Sequence, residues 1–385
     1  METCKSPRKV FRTAYELGRS VLPDQTSKFS RKDFTLPQLF ACLVLREFHH
    51  LSYRRVEALL KDCPDWLAEI GMKHAPDHNT LWRAFEAIVV LRRMDSMLDV
   101  LAKVFVEHQR QAMSEPLAID GSCYEIRHVS RYFERRCQET RKRKHPEKTA
   151  RQRRREAVKG LPKMGVAVAS GCHLILAACT LTGGGPDLPF FAPLLKDAWR
   201  RAAFRCVVAD AGFDAEESHR FSHQDLAVAS IIPPTAGRPS TKPATGPYRR
   251  MMQELFVSGE AADDYGQRWQ SETVHSMIKR NQGSALRSRT PERRARELFL
   301  RVITHDVMLA RYSQRVETEQ DAASILTLIP SLPAIWAVLP ILPYAPFPAA
   351  PLSLGPMRRF HTAAHAAHSP ALSDALSPSA AGSPA

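Results

Sequence analysis

Residues 265–279 carry charged side chains at a spacing that could support phosphate chemistry. Their polar positions step by three, four, three and four residues, which places one set on a single helix face: Tyr265, Arg268, Glu272, His275 and Lys279. The other side carries four apolar residues that can pack against a core: Trp269, Val274, Met277 and Ile278. One carboxylate among cations suits a metal-bound anion flanked by phosphate-binding groups. An ordinary amphipathic helix with a solvated polar face would show the same periodicity, so both interpretations stay open here.

Two aspartates upstream each follow a short apolar run. Asp120 comes after residues 117–119, and Asp210 comes after residues 206–209. A run of this kind before Asp-Gly or Asp-Ala-Gly predicts a buried strand that turns at the sheet edge. Taken singly, either aspartate could instead be a turn residue that accepts backbone hydrogen bonds. Two such strand ends followed by a helical glutamate favour a shared acidic site.

The chain resembles the DDE transposases of bacterial insertion sequences, families four and five. The resemblance rests on Tyr265, two residues, Arg268, three residues, Glu272, six residues and Lys279, and it covers roughly residues 35–312. The order of two strand-borne aspartates and one helix-borne glutamate is also that of the family. The resemblance implies an α/β fold, with a ribonuclease H-like mixed sheet flanked by helices and preceded by a small all-α N-terminal domain.

The chemistry expected of such a site is metal-dependent cleavage and transfer of DNA phosphodiesters. Asp120 would bridge two Mg²⁺ ions, Asp210 would hold one of them, and Glu272 the other, with Mn²⁺ as an alternative metal. Hard divalent ions of this kind prefer carboxylate oxygens and water.

Three further residues of the motif are assigned to DNA by the resemblance. Arg268 and Lys279 would contact phosphates beside the scissile bond, and Tyr265 would position the strand. His275 shares the same helix face and could hydrogen-bond DNA or an acid, but we assign it no catalytic role. We expect Trp269 to pack against the core, with stacking on an unpaired base as the weaker alternative.

The charge of the chain is concentrated in one segment. The net charge is +15, and residues 127–163 contain 15 Lys or Arg against 4 Glu, a net charge of +11. Such a block favours nucleic acid as a partner, although a basic loop without a partner has the same composition. We expect four arginines to neutralise DNA phosphates without reading bases: Arg151, Arg153, Arg154 and Arg155.

Composition divides the chain into four parts. Residues 1–30 are predicted to be a flexible lead-in, 31–113 a helical N-terminal domain, 114–315 the catalytic domain with its basic excursion at 127–163, and 316–385 a disordered tail rich in Pro and Ala. Thr35 is expected to cap the first helix of the N-terminal domain. The basic outer faces of these helices favour DNA binding, whereas a scaffold or dimerisation role fits the pattern equally well.

Local patterns predict the order of elements in the catalytic domain. Residues 164–169 and 174–180 should form a hairpin, and 227–232 a further strand. Residues 190–202 and 291–314 should be helices, and 235–248 a loop. Asp214, Glu216 and Glu217 are expected to open a helix rather than bind metal.

The remaining expectations concern location and partners. Residues 325–354 carry no charge, but seven prolines interrupt them, so a membrane span is rejected. The N-terminus lacks the apolar core of a signal peptide, which favours a cytoplasmic, nucleoid-associated protein. The expected partners are DNA, as transposon terminal repeats and target, and a second copy of the chain in a homodimer on DNA.

Three other functions stay open at this point. A ribonuclease H-like nuclease would cut without strand transfer, and an inactive copy could act as a DNA-binding repressor. A basic RNA-associated protein is the weakest of the three, because no RNA-binding motif is visible.

Overall fold

The two aspartates belong to a mixed β-sheet in the computed structural model of the chain. The model describes residues 3–29, 32–108, 115–126, 131–144, 146, 149, 152, 161–234 and 245–317. All of them lie in one compact unit, Met1–Ile325. Its strands follow in chain order: β1 (Leu117–Cys123), β2 (Glu125–Ile126), β3 (Lys163–Ala169), β4 (Leu174–Leu181), β5 (Cys206–Ala209), β6 (Ala229–Ile231) and β7 (Ala285–Leu286).

The main sheet has the strand order β4-β3-β1-β5-β6. β1 pairs antiparallel with β3 and β3 antiparallel with β4, whereas β1–β5 and β5–β6 are parallel. This arrangement is consistent with the expected ribonuclease H-like core. The predicted hairpin is present, and His173 closes its turn with a φ of 62°. β2 and β7 form a separate two-stranded parallel ribbon.

Helices surround the sheet. Those before it are α1 (Pro7–Val21), α2 (Leu36–Phe48), α3 (Tyr53–Asp62), α4 (Pro64–Glu69), α5 (His78–Ile88) and α6 (Leu91–His108). Those within and after it are α7 (Arg131–Lys144), α8 (Phe191–Arg201), α9 (Glu216–Arg220), α10 (Pro247–Ser258), α11 (Ala262–Tyr265), α12 (Trp269–Gln282) and α13 (Pro291–Glu317). α8 lies against β3 and β4, and α12 lies against β1 and β3.

The first 30 residues differ from the predicted flexible lead-in, because α1 lies within them. Its apolar residues are spaced for one helix face and are buried: Val10, Phe11, Ala14 and Leu17. α1 packs on α2 and α13, and Cys4 N donates to Met308 O at 3.0 Å. The partner helices lie far away in sequence, so local composition gave no sign of this burial.

The N-terminal segment is helical as predicted, but its helices share one hydrophobic core with the sheet. α2 begins with the expected cap, because Thr35 Oγ1 accepts from Gln38 N and Gln38 Oε1 accepts from Thr35 N, at 3.4 and 2.8 Å. Its buried face contacts α1, α5 and α13. The segment is therefore packed as part of the same unit as the sheet.

α10 lies partly in the stretch 235–248 that was predicted to be a loop; residues 235–244 are outside the described residues. The helix is fixed by Arg249, whose guanidinium contacts the buried Asp214 carboxylate at 2.6 Å. Glu216 accepts from Tyr248 N and Arg249 N, each at 3.1 Å. Asp214 thus joins two helices and does not open one, whereas Glu216 begins α9 as expected.

The C-terminal helix α13 ends at Glu317, so of the predicted tail at 316–385 all but the first two residues lie outside the described part of the chain. Among the helices that are described, none has the length and apolar character required to cross a bilayer.

A buried ionic network joins α13 to α2 and to the end of α12. Arg301 is fully buried and donates to Gly283 O at 2.5 Å, Ala285 O at 2.7 Å and Glu297 Oε1 at 3.1 Å. Glu47 of α2 lies 3.6 Å from the same guanidinium. Because each charge lies away from water, removal of one partner leaves the others uncompensated.

Replacement of this guanidinium should therefore be costly. The Arg301→Met variant is expected to lose about 3–5 kcal/mol of unfolding free energy, because the buried carboxylates of Glu47 and Glu297 would lose a cation and two carbonyls would lose a donor. Urea denaturation measures this loss, with Arg280→Met on the exposed face of α12 as the matched control. Equal stability of the two variants would contradict the role of the network.

Candidate active site

Asp120 and Asp210 lie side by side because their strands are parallel neighbours. The register of β1 and β5 pairs Ala118 with Val208 and Ile119 with Ala209, and the next residues are the two aspartates. Neighbouring strands are about 4.8 Å apart. Asp210 follows the last residue of β5, as predicted. Asp120, however, lies within β1, which continues to Cys123 because β3 still pairs with it there.

Asp210 also shapes the turn that follows β5. Its Oδ1 accepts from Gly212 N at 2.9 Å, which caps a short 3₁₀ turn over Ala211–Phe213. Asp210 is therefore a turn residue that accepts a backbone hydrogen bond, which was one of the two interpretations that the sequence allowed. This hydrogen bond occupies one carboxylate oxygen and leaves the side chain partly exposed at the sheet edge.

Glu272 lies in the first turn of α12, where its carboxylate pairs with Arg268 Nη1 at 2.6 Å. The Glu272 side chain is 54% exposed, and that of Arg268 is 25% exposed. The predicted continuous helix over 265–279 is instead three consecutive pieces, α11, a 3₁₀ turn over Gly266–Arg268 and α12. Arg268 and Glu272 still share a face, because helical turns continue through the junction.

The three predicted acids act on one another electrostatically. The pKa of Asp120 is raised to about 6, mainly by burial and to a lesser extent by the carboxylates of Asp210, Asp187 and Glu272, while the backbone amide of Gly121 opposes the shift. Asp210 and Glu272 therefore lie close enough to Asp120 for their charges to raise its pKa.

Lys279 and His275 lie on the face of α12 that covers β1. Lys279 Nζ donates to Ser122 Oγ at 2.6 Å, and burial lowers the pKa of its ammonium, while Asp120 and Glu125 oppose that shift. Burial and then the Lys279 charge lower the pKa of His275 to about 3, so its imidazole is neutral near pH 7. His275 is buried in the core.

The aromatic residues before Glu272 occupy different surroundings. Tyr265 is half-buried, with its ring 5.1 Å from that of Phe256 and 6.0 Å from the Arg268 guanidinium. Trp269 was expected to pack, but its surface is 52% exposed. It is the first residue of α12 and points away from the side where Val274 and Ile278 enter the core.

The structure adds Asp187 and Lys163, which the sequence did not single out. Lys163 Nζ contacts Asp187 Oδ1 at 2.5 Å and donates to Gly185 O at 3.0 Å. Asp187 packs on Gly121, where a Cβ atom would collide with its carboxylate. Lys163 pairs with Cys123 in the sheet register, so this contact lies on the face opposite Asp120 and supports β1 from behind. The glycine-rich stretch before Asp187 was the only available sequence signal.

The basic excursion is described only in part. α7 presents a row of exposed cations: Arg135, Arg136, Lys142, Arg143 and Lys144. The four arginines assigned to phosphate binding, Arg151, Arg153, Arg154 and Arg155, lie outside the described residues, so their role stays a prediction.

The donor chemistry of the site suits a hard divalent cation. Asp120, Asp210 and Glu272 offer carboxylate oxygens, which Mg²⁺ prefers. Burial is the main cause of the raised pKa of Asp120, and the smaller contribution from neighbouring carboxylates is one that a bound cation would relieve. Within the described residues, no three His, Cys, Asp or Glu side chains are close enough to hold one metal ion together. The Glu272 carboxylate instead forms an ion pair with the Arg268 guanidinium.

The mixed sheet with acids on β1, after β5 and on α12 has the architecture of a DDE-type catalytic domain. A family model described as the transposase DDE domain matches residues 112–306, which is half of the chain. The chain belongs to this transposase family. Searches among curated proteins and solved structures gave no match.

The electrostatics of Asp120 predict how stability depends on pH. Its carboxyl binds a proton more tightly when folded, at a pKa of about 6, than when unfolded, at about 4, so the unfolding free energy falls as pH rises through this window. In EDTA, the Asp120→Asn variant should exceed the wild type by up to about 3 kcal/mol at pH 7–8. The difference should shrink towards pH 4.

Urea denaturation at several pH values measures this difference. Asp263→Asn, at an exposed position in α11, is the matched control and should follow the wild type. If the unfolding free energies of Asp120→Asn and wild type changed in parallel between pH 4 and 8, the raised pKa of Asp120 would be contradicted.

Proposed function

We propose that this transposase cleaves DNA at the ends of its own element and joins those ends to target DNA. The observation that supports the proposal is that Asp120, Asp210 and Glu272, from three separate elements, lie close enough for the charges of the other two to raise the pKa of Asp120. The matched transposase domain spans all three. The spacing of Tyr265, Arg268, Glu272 and Lys279 further supports insertion-sequence families four and five.

We assign two Mg²⁺ ions, or Mn²⁺, to this site, and the carboxylates of Asp120, Asp210 and Glu272 would hold them. When bound, the metal would polarise the attacking water or 3′-hydroxyl and neutralise the leaving oxygen. Glu272 would then exchange its contact with Arg268 for the cation.

The cations on the same helix receive complementary roles. Arg268, once released from Glu272, can donate two parallel hydrogen bonds to a phosphate next to the scissile bond. Lys279 lies on the Asp120 side of α12 and would hold a second phosphate oxygen. Tyr265, held between Phe256 and Arg268, would limit where the strand can lie.

The partners are terminal repeats, target DNA and a second copy of the chain in a homodimer on DNA. Strand transfer joins each of the two element ends to target DNA, and two copies would supply one active site for each end. The exposed cations of α7 support a DNA path along the basic excursion.

Removal of the helix-borne carboxylate should separate cleavage from binding. Glu272→Ala is expected to abolish metal-dependent cleavage of a labelled terminal-repeat duplex, with at least a 10³-fold decrease in rate, because one metal ligand is removed. Affinity for the duplex should change less than threefold. Glu217→Ala, at a highly exposed position on α9, is the matched control and should cut normally.

Several outcomes would overturn the assignment. Cleavage retained in Glu272→Ala would reject the carboxylate as a metal ligand. Wild-type cleavage without transfer of 3′-hydroxyl ends would favour a ribonuclease H-like nuclease. Wild-type binding without metal-dependent nicking would favour a DNA-binding repressor.

Neutralising the basic excursion should change the salt dependence of DNA binding. The fourfold change of Arg151, Arg153, Arg154 and Arg155 to Gln is expected to reduce the slope of log K against log salt by about 0.9 for each phosphate that the protein no longer neutralises. Fluorescence anisotropy at low and at high salt gives the slope. The matched control removes four charges from exposed sites at and before α1: Lys5, Lys9, Arg12 and Arg19. Equal slopes for the two variants would place the excursion away from DNA.

A further inference from the structure

A second set of side chains shares the strand face that carries Asp120. Alternate residues of a strand project to the same side, so Asp120, Ser122 and Tyr124 all face α12. On α12, Lys279 lies two turns beyond Glu272. β1 and α12 therefore remain in contact beyond Glu272, where Ser122 contacts Lys279.

Lys279 is held by two contacts from β1 and the residue that follows it. Its Nζ donates to Ser122 Oγ at 2.6 Å and lies 5.0 Å from the centre of the Tyr124 ring. A cation over an aromatic face is attracted by the ring quadrupole. Lysine is otherwise a flexible side chain whose ordering costs up to about 2 kcal/mol. Two contacts made before DNA binds would reduce that cost at the moment of binding.

Tyr124 is itself fixed from two directions. Its side chain is fully buried, and its backbone N donates to Pro162 O at 2.9 Å. The Arg301 guanidinium lies 5.9 Å from the ring and binds the Gly283 and Ala285 carbonyls just after α12. The Tyr124 ring that contacts Lys279 is therefore held in place by the backbone after β1 and by Arg301, which also binds the end of α12.

We propose that Ser122 is a positioning residue that aims the Lys279 ammonium at a DNA phosphate beside the scissile bond. This inference rests on the proposed function and deepens it. Ser122 Oγ accepts a hydrogen bond from one of the three N–H groups of the ammonium, which leaves two N–H groups for phosphate oxygens.

Kinetics with a conservative pair of variants tests the proposal. Ser122→Ala should lower kcat/KM for terminal-repeat cleavage about 10-fold, as expected for removal of one hydrogen bond to a charged group. Ser122→Thr keeps the hydroxyl and should retain activity within about threefold. In a Lys279→Ala background, Ser122→Ala should change the rate by less than twofold, because the group it aims is absent.

An activity-independent measurement distinguishes failure of this proposal from failure of the proposed function. Competitive labelling with an amine-reactive reagent, read by mass spectrometry, should modify Lys279 several-fold faster in Ser122→Ala than in wild type or Ser122→Thr. Ser284→Ala, at an exposed position after α12, should leave the labelling and the rate unchanged.

Two results would overturn the positioning role. Unchanged Lys279 labelling in Ser122→Ala would show that the serine does not hold the ammonium, whether or not the protein cuts DNA. An equal decrease in rate in the Lys279→Ala background would show that Ser122 acts through another group. If the wild type cuts DNA, Glu272→Ala does not, and Ser122→Ala behaves as wild type, the proposed function stands and the positioning role fails.

Discussion

The parallel pairing of β1 with β5 is the constraint on which the site depends. It sets two carboxylates on adjacent strands in a partly desolvated region, where like charges repel and water screens them weakly. A fold keeps such an arrangement only if the surrounding structure is rigid enough to oppose the repulsion. β3 supplies part of this rigidity, because it pairs with every residue of β1 from Leu117 to Cys123.

Support also comes from both faces of β1. On one face, Asp187 and Lys163 pack directly over Gly121, where only a glycine leaves room. On the other face, α12 brings Lys279 and His275 against the strand. Arg301 then ties the end of α12 to α13 and, through Glu47, to α2. The N-terminal helices are thus part of the framework of the catalytic helix, which explains why they share its core.

Local sequence signals predicted the elements whose partners are close in sequence. The Thr35 cap, the β3–β4 hairpin and the strand before Asp210 depend on neighbouring residues, and the structure has them. α1 was missed because its apolar stripe is short and mixed with charges, and its partners α2 and α13 complete the burial. The predicted burial of Trp269 was wrong. Helical periodicity shows which residues share a helix face, but it does not show whether the core extends to the end of the helix.

The sequence by itself predicted the set of three acids and determined their order along the chain and the spacing of the cations around Glu272, because these are properties of strand ends and of one helix. Only the tertiary structure decided which groups touch. Ser122 and Lys279 are 157 residues apart, and no local pattern links them. Asp187 comes from a glycine-rich loop to support β1 on the face opposite Asp120, and Glu272 faces Arg268, because side-chain partners depend on how strands and helices pack in three dimensions.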